Sequence, residues 1–160
     1  MLRRLTIVAA LLAVTGLAFA VLAPAAASAE EGRRGDVFLR GRGVLDAQGD
    51  GLAAVRGRVD YDVTADAGVL LVKDVGGGAD IEVSGYGDTG EWLGWTVYFG
   101  FEGEAHIIGG DVAIIVLGRN IDLHAAGNGW AYLKGQGTFE VNGRGPFRWT
   151  ADGTFAGFAP

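Results

Sequence analysis

The chain has 160 residues, of which 29 are glycine, 3 proline and none cysteine, and its 13 basic and 19 acidic side chains leave a formal charge of −6. A hydrophobic share of 49% excludes a disordered linker, the lack of cysteine excludes a disulfide framework and a thiolate metal site, and the acidic balance excludes a sequence-independent grip on nucleic acid phosphates.

Met1-Leu2-Arg3-Arg4 places two positive charges ahead of an apolar run over residues 5–23, followed by Pro24 and the small residues 25–29. This pattern predicts a secretory signal peptide over 1–29, cut after Ala29 at the small-x-small site Ala27-Ser28-Ala29. An N-terminal membrane anchor is the alternative, because the run approaches the ~20 apolar residues that span a bilayer. Removing 29 of the 160 residues leaves one domain, 30–160, of 131 residues. Two basic side chains go with the leader, so 11 face 19 acidic ones and the charge becomes −8. The expected location is secreted, periplasmic or cell-surface, with no stable membrane insertion.

Beyond the leader no window keeps a helical period, whereas short runs alternate with period two and stop at glycine, asparagine or aspartate. The expected fold class is all-β. Strands are predicted at 37–40, 44–47, 52–56, 59–63, 69–73 and 80–84, then at 95–101, 105–108, 112–117, 121–125, 130–134, 138–141 and 147–150. Phe155 and Phe158 are expected to pack a short tail on the body. Strands spaced by about 7 to 11 residues suit an antiparallel meander forming a sandwich or barrel of about 12 short strands, or a β-solenoid. An outer-membrane barrel would need strands of ~9 to 11 residues, longer than these.

Residues 37–85 and 95–143 look like tandem repeats. Arg58-Val59-Asp60-Tyr61 and Lys73 recur as Asn120-Ile121-Asp122-Leu123 and Lys134, and Glu82-Val83-Ser84-Gly85 recurs as Glu140-Val141-Asn142-Gly143. A five-residue word, apolar-acid-apolar-polar-small, stands at 45–49, 59–63, 81–85, 121–125 and 139–143. Alternation puts its acid and polar residue on a wet face and its apolar residues on a dry one. More uniformly apolar strands at 52–55, 69–72, 114–117 and 131–133 lie between, three of them soon followed by Arg56, Lys73 or Lys134. In a meander, acidic and basic strands would then take turns and pair across the sheet, which favours it over a solenoid with a like-charge ladder.

Candidate chemistry is sparse. Ser84 with His106 or His124 lacks a nucleophile elbow, so a turn-side polar role is the better reading. Asp60, Glu82, Asp122 and Glu140 could supply an acid pair for glycoside cleavage, yet they occupy matching places in both repeats, whereas such a pair needs two different environments. The two histidines lack the spacing of a zinc site. Asp46 to Gly51 and Gly76 to Asp80 offer oxygen ligands but fit hairpin turns better than calcium loops. No helix follows Gly76 to Gly78 to hold a phosphate. No metal and no cofactor is expected.

The stretch 86–101 holds six aromatic side chains and has no counterpart in the other repeat. Trp95, Val97, Phe99 and Phe101 share one strand face and are expected in the core, leaving Tyr98 opposite and Tyr86 and Trp92 on a loop. Tyr86, Trp92 and Tyr98, beside Asp88 and Glu91, form the candidate binding surface, suited to stacking on sugar rings or anchoring a protein.

The leader, the phrase Gly41-Arg42-Gly43-Val44-Leu45-Asp46-Ala47-Gln48-Gly49-Asp50-Gly51 and the phrase Gly118-Arg119-Asn120-Ile121-Asp122-Leu123 resemble uncharacterised secreted glycine-rich all-β proteins of bacteria, a group whose likeness implies no catalytic residue. The reading is an exported non-enzymatic structural or binding module of the bacterial envelope or exterior, with polysaccharide or an envelope protein as partner. A small extracellular glycoside hydrolase using an Asp/Glu pair is the alternative.

Overall fold

The computed structural model describes residues 43–159. The predicted leader, its cut after Ala29 and the predicted strand at 37–40 lie outside the described residues. Among the described residues the regular elements are nine strands: β1 (Gly43–Ala65), β2 (Ala67–Asp74), β3 (Asp80–Val83), β4 (Asp88–Trp92), β5 (Trp95–Phe99), β6 (Gly103–Ile108), β7 (Val112–Val141), β8 (Arg144–Arg148) and β9 (Thr154–Phe158). They form one curled antiparallel sheet, a half-barrel, ordered β3-β6-β1-β7-β2-β5-β4 with β8 and β9 also paired to β7.

The all-β class therefore holds, and the count of about 12 short strands gives way to nine. Predicted strands 44–47, 52–56 and 59–63 are parts of β1, while 112–117, 121–125, 130–134 and 138–141 are parts of the 30-residue β7. Glycines that read as strand ends are bends inside continuous strands. The strand-length argument against a membrane barrel lapses with the short strands. The proposed repeats also do not fold into matching elements, since 69–73 is the separate strand β2 whereas its counterpart 130–134 lies inside β7.

β1 and β7 pair twice, once along each edge. Ala47 is opposite Leu123 on one side and Phe139 on the other, and Ala54 is opposite both Ile115 and Tyr132. Tracing the ladders sideways gives two wings of seven segments. The first runs β3, β6, β1 at 58–65, β7 at 121–128, β1 at 43–49, β7 at 137–141 and β8. The second runs β4, β5, β2, β7 at 112–119, β1 at 51–57, β7 at 129–135 and β9. The long strands cross from one wing to the other where glycines face each other. Gly51 and Gly135 are direct partners with φ of +134° and +137°, and a Cβ on either would lie 2.2 or 2.1 Å from the opposite carbonyl oxygen. Two backbones this close leave no room for a side chain, and the left-handed φ is one that L side chains avoid.

Between the wings lies the main core. Leu45, Tyr61, Val63, Ile107, Ile121 and Leu123 come from the first wing, and Val55, Leu70, Val72, Ile114, Leu133 and Phe158 from the second, all buried. The Tyr61 hydroxyl donates to the Val112 carbonyl at 2.9 Å, joining the wings. Burial pushes this phenol well above its ordinary range, the Asp111 charge adding to the rise and Arg56 opposing it. The expected tail also forms, as β9, with Phe158 buried and Phe155 exposed against the Tyr132 ring.

The acidic words and the apolar strands do not alternate across the sheet as the meander reading requires. All five words fall in the first wing, and the segments 52–55, 69–72, 114–117 and 131–133 are neighbours in the second. Arg56, Lys73 and Lys134 accompany the second wing, so these three cations do not neighbour the acidic words. The uniform apolarity of these segments has a direct cause: Leu52, Ala54, Leu71, Ala113 and Ile115, on the face turned from the main core, are buried as well.

Candidate functional site

Two places concentrate polar or aromatic chemistry. The first is the outer face of the acidic wing. Because residues paired across antiparallel strands share a face, the registers place Glu82, His106, Asp62, His124, Asp46 and Glu140 in one row over six neighbouring segments. Asp60, Asp80, Glu104 and Asp122 stand on the same face in flanking rows. The four carboxylates singled out as a hydrolase pair, Asp60, Glu82, Asp122 and Glu140, are thus all on this wet side.

Like charges this near would repel, and the two histidines relieve the row. His106 Nδ1 contacts Asp62 Oδ1, and His124 Nδ1 lies 2.6 Å from Asp46 Oδ1. The bond from Asp62 raises the His106 pKa above its ordinary value. Desolvation opposes this, and the charges of Asp62, Glu82 and Asp60 reinforce it. Gln48 donates to Asp122 at 2.9 Å, and Asp60 accepts from the Gly109 amide at 3.0 Å. Nothing in the sequence linked these partners, which lie 44 to 78 positions apart.

At the β1–β6–β3 end of this face is a groove of about 350 Å³ lined by Asp62, Glu82, Ser84, Glu104 and His106 among others. Ser84 and His106 thus share a groove, with Asp62 in the orienting place. Among the described residues no hydrogen bond joins Ser84 to either imidazole, and half or more of the His106 and Asp62 side chains faces solvent. The calcium candidates come apart. Asp46 to Gly51 lies inside β1 and is no turn, with Asp50 accepting the Asn120 amide at 2.7 Å. Gly76 to Gly78 lie in the connection from β2 to β3, which do not pair with each other and so make no hairpin, and the Asp74 carboxylate accepts there from the Gly77 and Ala79 amides. No group of three or more His, Asp or Glu among the described residues is arranged to hold a metal ion.

The second place is the edge hairpin β4–β5, whose β5 falls within the predicted strand 95–101 and whose β4 falls in the stretch that reads as a loop. Its turn is Leu93-Gly94, with φ of +49° and +76°. Two successive left-handed residues mark a two-residue turn of the primed type, for which asparagine-glycine is the usual signal. Leucine gave none. Tyr98 pairs with Leu70 of the main core and packs against that core, so the predicted facing of this strand is reversed. Trp95 and Val97 are buried on the other side of the sheet, and only Phe101, beyond a bend at Gly100, returns to the core.

This facing divides the five candidate residues. Tyr86, 44% exposed, meets Tyr98 edge to face with centroids 5.0 Å apart. Burial and the neighbouring Tyr86 raise the Tyr98 phenol pKa. Glu91, paired with Thr96, shares the Tyr98 side, whereas Asp88 and Trp92, paired with Phe99 and Trp95, take the opposite one. The hairpin tip carries Leu93, 74% exposed, whose carbonyl accepts from Lys73 Nζ at 3.3 Å. Comparison with protein-family models, curated proteins and solved structures finds no match to this chain.

Proposed function

We propose that this protein is an exported, non-enzymatic binding module of the bacterial envelope or exterior, which contacts polysaccharide through the Tyr86–Tyr98 side of the β4–β5 hairpin. The observation that carries the reading is the tyrosine pair itself. Tyr98 is anchored on the core, Tyr86 stands against it with its ring open to solvent, and Glu91 shares their side at the edge of the sheet. A fixed aromatic ring on the same side of a hairpin as a carboxylate suits a sugar, whose apolar ring face stacks while its hydroxyls donate. Export rests on the leader pattern at 1–29, and origin by tandem duplication rests on the sequence correspondence of 37–85 with 95–143. Eight carboxylates on the outer face of the acidic wing support a water-facing body over one inserted in lipid.

A glycan-array screen of the mature chain tests this. Tyr86→Ala is expected to abolish the signal, while Trp92→Ala, on the other side, leaves most of it. Equal signal from the Tyr86→Ala variant and the parent would remove the hairpin from the reading. The hydrolase alternative draws on the groove that holds Asp62, Glu82 and Glu104. Its weakness is exposure, because an acid kept protonated for catalysis needs apolar surroundings.

A further inference from the structure

β3 pairs with β6, and β6 is the strand that carries this edge of the sheet on β1, through the register from Tyr61–Ile107 to Ala65–Gly103. On the inner side the attachment is apolar, with Ala105 and Ile107 buried in the core. On the outer side it centres on His106, whose Nδ1 contacts Asp62 Oδ1 across the β1–β6 ladder.

The charged groups around this imidazole are nearly all acidic. From β1, Asp60 and Asp62 face it; from β3, Asp80 and Glu82; on its own strand, Glu104. His124 faces Asp62 from the far side of β1 but is itself bound to Asp46. The outward positions of β3 and β6 hold no lysine or arginine, and the 58–65 stretch of β1 has Arg58 alone, at its far end.

We propose that His106 is a pH-responsive clasp, which when protonated holds the β3–β6 pair on β1 through Asp62 and Glu82 and when neutral lets that pair loosen under repulsion among the surrounding carboxylates. The sign follows from linkage. The folded-state pKa of His106 is raised, so its contribution is fully present below the unfolded value near ~6.5 and is lost as pH rises through the folded value. The inner contacts of Ala105 and Ile107 remain, so the response is local loosening and not loss of the fold. A histidine biasing one edge of a sheet is the kind of element that turns mild pH change into a structural response.

Amide hydrogen exchange on the full chain, corrected for intrinsic pH dependence, reads this directly. From about pH 6 to about pH 8.5, across the range where histidine titrates, the β6 amides of 103–107 should lose more protection than those of β2. His106→Gln, which keeps a donor but does not titrate, should abolish that difference. Equal behaviour of β6 and β2, or an unchanged response in His106→Gln, would overturn the proposal. An NMR titration of the His106 ring keeps it falsifiable if the glutamine variant does not fold. The midpoint should lie above that of free histidine and fall in Glu82→Gln, and an unmoved midpoint would count against the clasp.

Discussion

Replacing Gly135 by alanine would set a Cβ 2.1 Å from the Asp50 carbonyl oxygen and 3.0 Å from the Gly51 Cα, both backbone atoms of β1. Neither can move aside without breaking the ladder. Relief of such an overlap costs about 1–3 kcal/mol, and a left-handed φ adds about 1–3 kcal/mol for a residue with a side chain. The combined loss, about 2–6 kcal/mol, is a large fraction of the ~5–15 kcal/mol that stabilises a typical domain. Two other glycines calibrate the measurement. Gly77, at φ +75° with open space around its Cβ position, should cost about 1 kcal/mol from backbone strain alone. Gly157 in β9 has open space and no left-handed φ, so alanine there should be neutral or stabilise by about 0.5–1 kcal/mol. Urea unfolding followed by tryptophan fluorescence gives all three. A Gly135→Ala variant within about 0.5 kcal/mol of Gly157→Ala would refute the close crossing of β1 and β7.

Leu93→Asn should stabilise the chain by about 0.5–1 kcal/mol in the same assay, because asparagine tolerates the left-handed turn position and the leucine there is exposed. Tyr61→Phe removes the hydroxyl that bridges the wings through the Val112 carbonyl, an expected loss of about 1–2 kcal/mol in unfolding free energy from the same urea assay. A variant as stable as the parent would mean that this bond adds nothing to the join.

The period-two pattern was enough to read the wet and dry faces of the acidic words correctly. Asp46, Gln48, Asp62, Asp122 and Glu140 are exposed, while Leu45, Ala47, Tyr61, Ile121 and Leu123 are buried. It could not distinguish a glycine that ends a strand from one that lets two strands touch. Gly109-Gly110 turns the chain, whereas Gly51 and Gly135 carry it across, and the two uses look alike in a window of five residues. The separation of the acidic words from Arg56, Lys73 and Lys134 was hidden for a second reason. β1 and β7 meet over a sequence gap that no local pattern reports, so the strands neighbouring each word in space were unknown. The His–carboxylate row was missed on the same account. Of the aromatic surface, the residues were legible but their sides were not, because facing depends on the Leu93-Gly94 turn and on the pairing of Tyr98 with Leu70.

The double pairing of β1 with β7 underlies both the acidic face and the placement of the hairpin, and cross-strand nuclear Overhauser contacts measure it most directly. Ala47 should show contacts to Leu123 and to Phe139, and Ala54 to Ile115 and to Tyr132. Contacts from Ala47 and Ala54 to one stretch of β7 alone would contradict the two-winged sheet.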